Sequence, residues 1–163
     1  MNKFNQLTKL LIEANKRAYH EVTTRNSNEH FYVYSLCLSF LGLDTINIYA
    51  CVNSFEKHQK NIDRFDLELD TPDEEHYKWQ PEEWGDYIEV GWKHFEEVLE
   101  LIEEIASDFT EEMEKDFSHK TLMSMRKSLE NLVSEGFWES GQTIHLYDFD
   151  EKETHYLKKI KTE

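Results

Sequence analysis

The stretch from His30 to Asn53, HFYVYSLCLSFLGLDTINIYACVN, decides the fold. Its first half, His30 to Phe40, is apolar or aromatic on both faces: Phe31, Tyr32, Val33, Tyr34, Leu36, Cys37 and Leu38. That pattern is expected of a strand inside a sheet, covered on both sides. Gly42 to Thr45 marks a turn. From Thr45 to Asn53 the chain alternates, with Ile46, Ile48, Ala50 and Val52 on one face and Asn47, Tyr49 and Cys51 on the other. Two such runs joined by a short loop predict an antiparallel hairpin.

Working outward, residues 3–24 read as an amphipathic helix. Phe4, Leu7, Leu11, Ala14, Ala18 and Val22 recur at three- and four-residue spacing. Downstream, Ser54 can N-cap a helix carrying Phe55, Ile62 and Phe65. Residues 66–76 read as an acidic exposed linker, and Tyr77 to Trp79 as a short strand ending before Pro81. A strong helical pattern runs from Val90 through Phe95, Val98, Leu99, Ile102 and Ile105 to Phe117, with a break expected near Ser107-Asp108. Ser118 is expected to cap a further helix, with Gly136 at its C′ position and Phe137 packing back on the last turn. Thr143 to Phe149 predicts another strand, and the polar tail a short helix. The sum is one α+β domain over residues 1–163, an antiparallel sheet with helices packed on one face.

At 163 residues such a domain buries roughly 70% of its unfolded surface, enough for a core without disulfide or metal staples. Hydrophobic residues make up 39%, which argues against global disorder. Mean hydropathy is −0.75, and no apolar run approaches the ~20 residues of a membrane span. Met1 to Gln6 holds no signal-peptide core, and Cys37 and Cys51 are too few for a disulfide scaffold, so a cytoplasmic location with reduced thiols is expected.

Net charge is −16, and its distribution is uneven. Residues 66–116 hold 20 acidic and three basic side chains and carry −17, whereas residues 1–65 carry +2 and residues 117–163 carry −1. This balance disfavours direct binding to nucleic-acid phosphates. A field of one sign confined to one segment steers a partner of opposite sign; the alternative is a surface kept merely solvated. Glu96, Glu97, Glu100, Glu103 and Glu104 crowd one helix, where each like-charge pair at i, i+3 or i, i+4 costs about 0.2–0.5 kcal/mol. A basic partner over that face would offset the cost.

Catalytic and metal signatures are weak. No two of the eight histidines stand at the i, i+4 spacing of a helical zinc pair, and His20-Glu21 lacks the second histidine of a metalloprotease motif because Thr24 stands there. There is no C-x-x-C, nucleophile elbow or phosphate-binding glycine loop among five scattered glycines. No metal and no cofactor are expected. Cys37 and Cys51 lie on neighbouring strands, where an odd-length loop could set them opposite each other.

The most distinctive segment is Tyr77-Lys78-Trp79-Gln80-Pro81-Glu82-Glu83-Trp84, followed by Tyr87 and Trp92. Three of the four tryptophans fall between positions 79 and 92. Tryptophan anchors cores and interfaces alike, so these rings either brace a loop against the hairpin or form an aromatic hot spot inside an acidic rim. Trp79-Gln80-Pro81-Glu82-Glu83-Trp84, the strand Phe31 to Leu36 with its neighbour ending at Ala50 to Asn53, and the helix ending Glu135-Gly136-Phe137 together resemble a bacterial family, domain of unknown function 4303. The resemblance spans roughly residues 4–150 and implies an α+β domain without catalytic residues to transfer. In its small acidic α+β form the chain is also similar to bacterial toxin-immunity proteins.

The functional expectation is a protein-binding domain, an immunity or antitoxin protein that occludes a basic partner such as a nuclease toxin. Trp79, Glu83, Trp84, Trp92, Glu96, Glu100 and Glu103 are its candidate contact residues. The alternative is a small enzyme or ligand-binding domain with a cleft near Trp79–Trp92, in which Glu83, Tyr87 and His94 would converge.

Overall fold

A computed structural model describes residues 2–84, 92–151 and 153–158. The hairpin sits where the sequence places it, as β1 (Phe31–Phe40) and β2 (Ile46–Ser54), preceded by α1 (Lys3–Arg25). After β2 come α2 (Phe55–Phe65), α3 (Pro72–Trp79) and a 3-10 turn at Pro81–Glu83. Then follow α4 (Glu96–Ala106), a second 3-10 turn at Glu111–Met113, α5 (Glu114–Ser134), β3 (Thr143–Asp148) and β4 (Glu153–Lys158). The result is an α+β domain. Among the described residues no helix is long and apolar enough to cross a membrane.

The sheet order is β2-β1-β3-β4. Its outer pairings are antiparallel, but the central β1–β3 pair is parallel, with Val33 beside Thr143 and Leu38 beside Asp148. The sheet is thus mostly antiparallel, as expected, with one parallel pair at its centre. The cause lies in the return of the chain from α5. Gln142, just before β3, donates its amide to the Phe31 carbonyl at 3.1 Å and to the Tyr19 hydroxyl at 2.7 Å. The third strand thus starts beside the start of β1 and must run alongside it.

The larger core lies on one face, as expected of the long helices. Tyr34, Leu36 and Leu38 of β1, Ile48, Ala50 and Val52 of β2, and Ile144 and Leu146 of β3 pack there against α1, α4 and α5. A smaller cluster fills the opposite face: Tyr32, Val33, Cys37, Tyr49, Cys51, Trp84 and Tyr147, with Trp79 and Phe149 at its edge. Tyr32 and Val33 are consecutive yet share that face because β1 carries a bulge there. Phe31 pairs with Ser54 and Val33 with Asn53, which leaves Tyr32 as the extra residue. Both faces of β1 are covered, which is why its sequence is apolar throughout.

Three local readings change. Tyr77–Trp79 is the last turn of α3, not a strand, and the segment taken as linker supplies its start. Thr71 accepts a hydrogen bond from the Glu74 amide at 3.3 Å, and Pro72 follows at the first helical position, so Thr71-Pro72 opens a helix. Ser118 lies inside α5, which begins at Glu114 behind the 3-10 turn, while the break near Ser107-Asp108 is present. The tail forms strand β4 rather than a helix, because the β3 edge gives its backbone a partner. Gly136 takes the left-handed conformation, φ +68°, and Phe137 donates its amide back to the Leu132 carbonyl at 3.0 Å, the C-terminal motif read from the sequence.

Candidate partner-docking surface

The tryptophan segment is laid down by α3 and the 3-10 turn at Pro81–Glu83 on the smaller face of the sheet. Trp84 is 1% exposed. Its indole N–H donates to the Tyr77 carbonyl at 3.2 Å, its own carbonyl accepts the Lys57 ammonium at 2.5 Å, and its ring meets His145 edge-on at 5.9 Å. Of the two roles open to Trp84, the structure puts it in the core-bracing one. Trp79 is half-buried. Its ring packs edge-on to Tyr32 at 5.5 Å and its N–H donates to Glu75 Oε2 at 2.7 Å. Trp92 differs: it is 44% exposed and lies tilted over Tyr49 at 5.8 Å.

Trp92 occupies the turn that leads into α4, and the Phe95 amide donates to its carbonyl at 2.9 Å. Glu21 of α1 pins this turn by pairing with Lys93 at 2.9 Å and His94 at 2.5 Å, and it also binds Arg25. Chiefly the hydrogen bond from Lys93, with that from His94 and the charge of Arg25, holds the Glu21 carboxyl below the usual carboxylate range. His94 is therefore tied to α1, while Glu83 pairs with His76 at 3.3 Å. Tyr87, the third member of the expected cleft, lies outside the described residues.

On α4, Val98, Leu101, Ile102, Ile105 and Ala106 are buried, which fixes the helix despite its crowded carboxylates. Two of those carboxylates are offset by α1: Glu97 faces Arg17 at 3.9 Å, and Glu104 with Asp108 brackets Lys3 at 3.2 and 2.6 Å. Glu96, Glu100 and Glu103 are exposed, and among the described residues they make no ion pair. Glu103 also lines a 380 Å³ cleft between the β1–β2 loop and the end of α4, with Leu43, Asp44 and Phe109. Further clefts of 490 and 440 Å³ open between α1 and α5 and beside Asp148.

The family model described as Domain of unknown function (DUF4303) matches residues 11–158. The chain belongs to that family. No curated protein and no solved structure matches the chain. The matched range of this DUF4303 domain takes in the hairpin, the tryptophan segment and the strand after Gly136.

Sequence reasoning missed two groupings on the smaller face of the DUF4303 sheet. Tyr49, Phe149 and Tyr147 form a row of rings at 5.7 and 4.8 Å, and the Tyr147 hydroxyl donates to Glu82 Oε1 at 3.4 Å. The alternation in β2 already put Tyr49 on this face, but not what it would meet. Beneath Trp84 runs a buried polar chain: Ser35 lies 3.3 Å from His145 Nδ1 and 3.4 Å from the Cys37 sulfur. Burial pushes His145 down to about 3, so it is neutral, and its Nε2 has no hydrogen-bond partner among the described residues. Cys37 and Cys51 are both free thiols. The strand register sets Cys51 opposite Ser35 and Cys37 opposite Tyr49, not the cysteines opposite each other. A hydrogen bond to Cys37 and burial hold the Cys51 thiol well above its ordinary value, which makes it a poor nucleophile. Among the described residues no group of three or more His, Cys, Asp or Glu is arranged to hold a metal ion.

Proposed function

We propose that this DUF4303 domain is a docking protein for a basic protein partner, of the kind a toxin-immunity protein would be, and that it acts by occluding that partner. One observation carries the reading. On α4 the carboxylates that face α1 are paired, whereas Glu96, Glu100 and Glu103, one turn apart along the exposed face, are left without cations among the described residues. Like charges gathered along one helix face cost stability in the free protein, and a basic surface laid over them recovers it. Trp92, which precedes α4 in the chain, adds an exposed aromatic ring of the type that dominates interface energetics. The roles of Trp79 and Glu83 are secondary, because each is engaged within α3 and its flanking turn.

The experiment is capture from the native cell with the immobilised full chain, compared with a chain reversed at Glu96, Glu100 and Glu103. The expected result is a protein of high isoelectric point, retained at low salt, released by salt and missing from the reversed bait. Encoding of that protein beside this chain, together with loss of its toxicity on co-expression, would support the immunity role. A partner that is acidic or neutral, or that the reversed bait retains equally well, would overturn the reading.

A further inference from the structure

The cleft between the β1–β2 loop and the end of α4 is a recess of 380 Å³. Leu43, Ala106 and Phe109 line it together with Asp44, Glu103 and Ser107. Ala106 is buried and Leu43 and Phe109 are half-buried, whereas Asp44, Glu103 and Ser107 are exposed, so the recess has an apolar floor and an acidic, open rim. Among the described residues Asp44 and Glu103 make no ion pair. The recess also lies at the C-terminus of an eleven-residue helix, where aligned peptide dipoles gather negative charge and favour a cation. The last turn of α4 holds no basic residue and instead carries Glu103 and Glu104. Neighbouring cations are engaged elsewhere. Lys3 is held between Glu104 and Asp108 at 3.2 and 2.6 Å, and Lys120, 5.4 Å from the Phe109 ring centre, pairs with Asp116 at 2.6 Å. Ser107 donates its hydroxyl proton to the Glu104 carbonyl at 2.7 Å, which leaves its oxygen able to accept.

An apolar floor below a carboxylate rim fits a side chain that is apolar along its stem and cationic at its tip. Lysine and arginine have that form, a methylene stem that packs on apolar surface and a charged head that seeks polar partners. An uncharged side chain would leave Asp44, Glu103 and the helix terminus unanswered, and a short cation would leave the floor uncovered. We propose that this cleft is the socket for a lysine or arginine side chain of the basic partner. Its stem lies on Leu43, Ala106 and Phe109, and its head lies among Asp44, Glu103 and Ser107. This rests on the docking reading above and deepens it. The exposed carboxylates of α4 attract the partner, and the recess that Glu103 shares with them seats one of its side chains.

The test uses the full chain and two peptides of equal charge, acetyl-(Gly-Lys)5-amide and its analogue with 2,4-diaminobutyrate in place of lysine, two methylenes shorter. Both are titrated by calorimetry at low salt and about pH 6, where both amines are charged. The field of α4 acts on the two alike, whereas only the longer stem covers the floor of the cleft. The expected result is tighter binding of the lysine peptide, by about 4- to 15-fold, the gain from one to two buried methylenes. Ser107→Lys supplies the missing cation from the chain itself. It should bring the two peptides to equal affinity and melt at or slightly above the parental temperature, because a cation suits a helix C-terminus. Asp44→Asn keeps the shape of the side chain and should weaken the lysine peptide by about 2- to 5-fold with an unchanged melting temperature. Equal binding of the two peptides by the parental chain, with both weakened by reversal at Glu96 and Glu100, would overturn the socket and leave the docking reading standing. A preference that survives Ser107→Lys, or lysine-peptide binding untouched by Asp44→Asn, would also overturn it, since the stem would then be seated elsewhere. Binding of neither peptide at low salt would overturn the docking reading along with the socket.

Discussion

Replacing Trp84 with Ala removes a ring that is 1% exposed, hydrogen-bonded through its N–H to the Tyr77 carbonyl and packed edge-on against His145. The expected cost is ~3–5 kcal/mol in chemical denaturation, the usual range for losing a buried large aromatic side chain. Binding of a basic partner by the remaining folded fraction should be unaltered. A Trp84→Ala variant that melted normally but released its partner faster would move Trp84 from core to interface. His145 below it makes a separate prediction. Its ring meets Ser35, Trp84 and Tyr156 and, among the described residues, no carboxylate, so burial holds it near 3. In the unfolded chain the same ring titrates near 6.5. The unfolded state therefore binds a proton that the folded state refuses between these values. The stability this contributes is fully present above about pH 6.5 and is lost as pH falls toward 3, at ~1.4 kcal/mol per pH unit. His145→Gln should remove that one-proton slope from the stability–pH curve between about pH 5.5 and 4. Parallel curves for the two proteins would show that His145 is already protonated in the folded state.

Elements whose periodicity is long and whose signals are local were legible in the sequence. The alternation at 45–53, the helical spacing at 3–24 and Gly136 in its left-handed position all belong to one element and obey its own geometry. The failures share a cause of another kind. Tyr77–Trp79 is aromatic and precedes Pro81, so it looked extended. Its conformation is decided upstream, where Thr71 and Pro72 start a helix. The tail looked helical because it is polar. It is a strand because β3 offers it an open edge. The parallel β1–β3 pairing depends on Gln142 reaching Phe31 and Tyr19 across more than a hundred residues, which no window of sequence contains. The candidate site divides in the same way. Spacing alone showed that Glu96, Glu100 and Glu103 share a face. Which tryptophan is core and which is exposed depended on the bulge at Tyr32 and the path of α3, and Glu82 became relevant only once β3 had brought Tyr147 to it.

At the scale of the molecule the charge is concentrated in one segment of the sequence, −17 between residues 66 and 116 against ends that are close to neutral. The fold uses part of that excess internally, through Lys3 and Arg17 against α4, and leaves part on the surface. Exposed charges contribute little to stability and act on encounter, because the Debye length is only about 8 Å at physiological salt. Reversal at Glu96, Glu100 and Glu103 should therefore leave the melting transition nearly unchanged while slowing association with a basic partner. The slope of the logarithm of the association rate against ionic strength should flatten at the same time, since the variant has less field to screen. Dissociation should change much less, because the rate of escape depends on the packed anchors rather than on the distant field. Stopped-flow or surface-binding kinetics across a salt series separates these quantities. A variant that associates at the parental rate, with the parental salt slope, would show that the exposed face of α4 only solvates the protein.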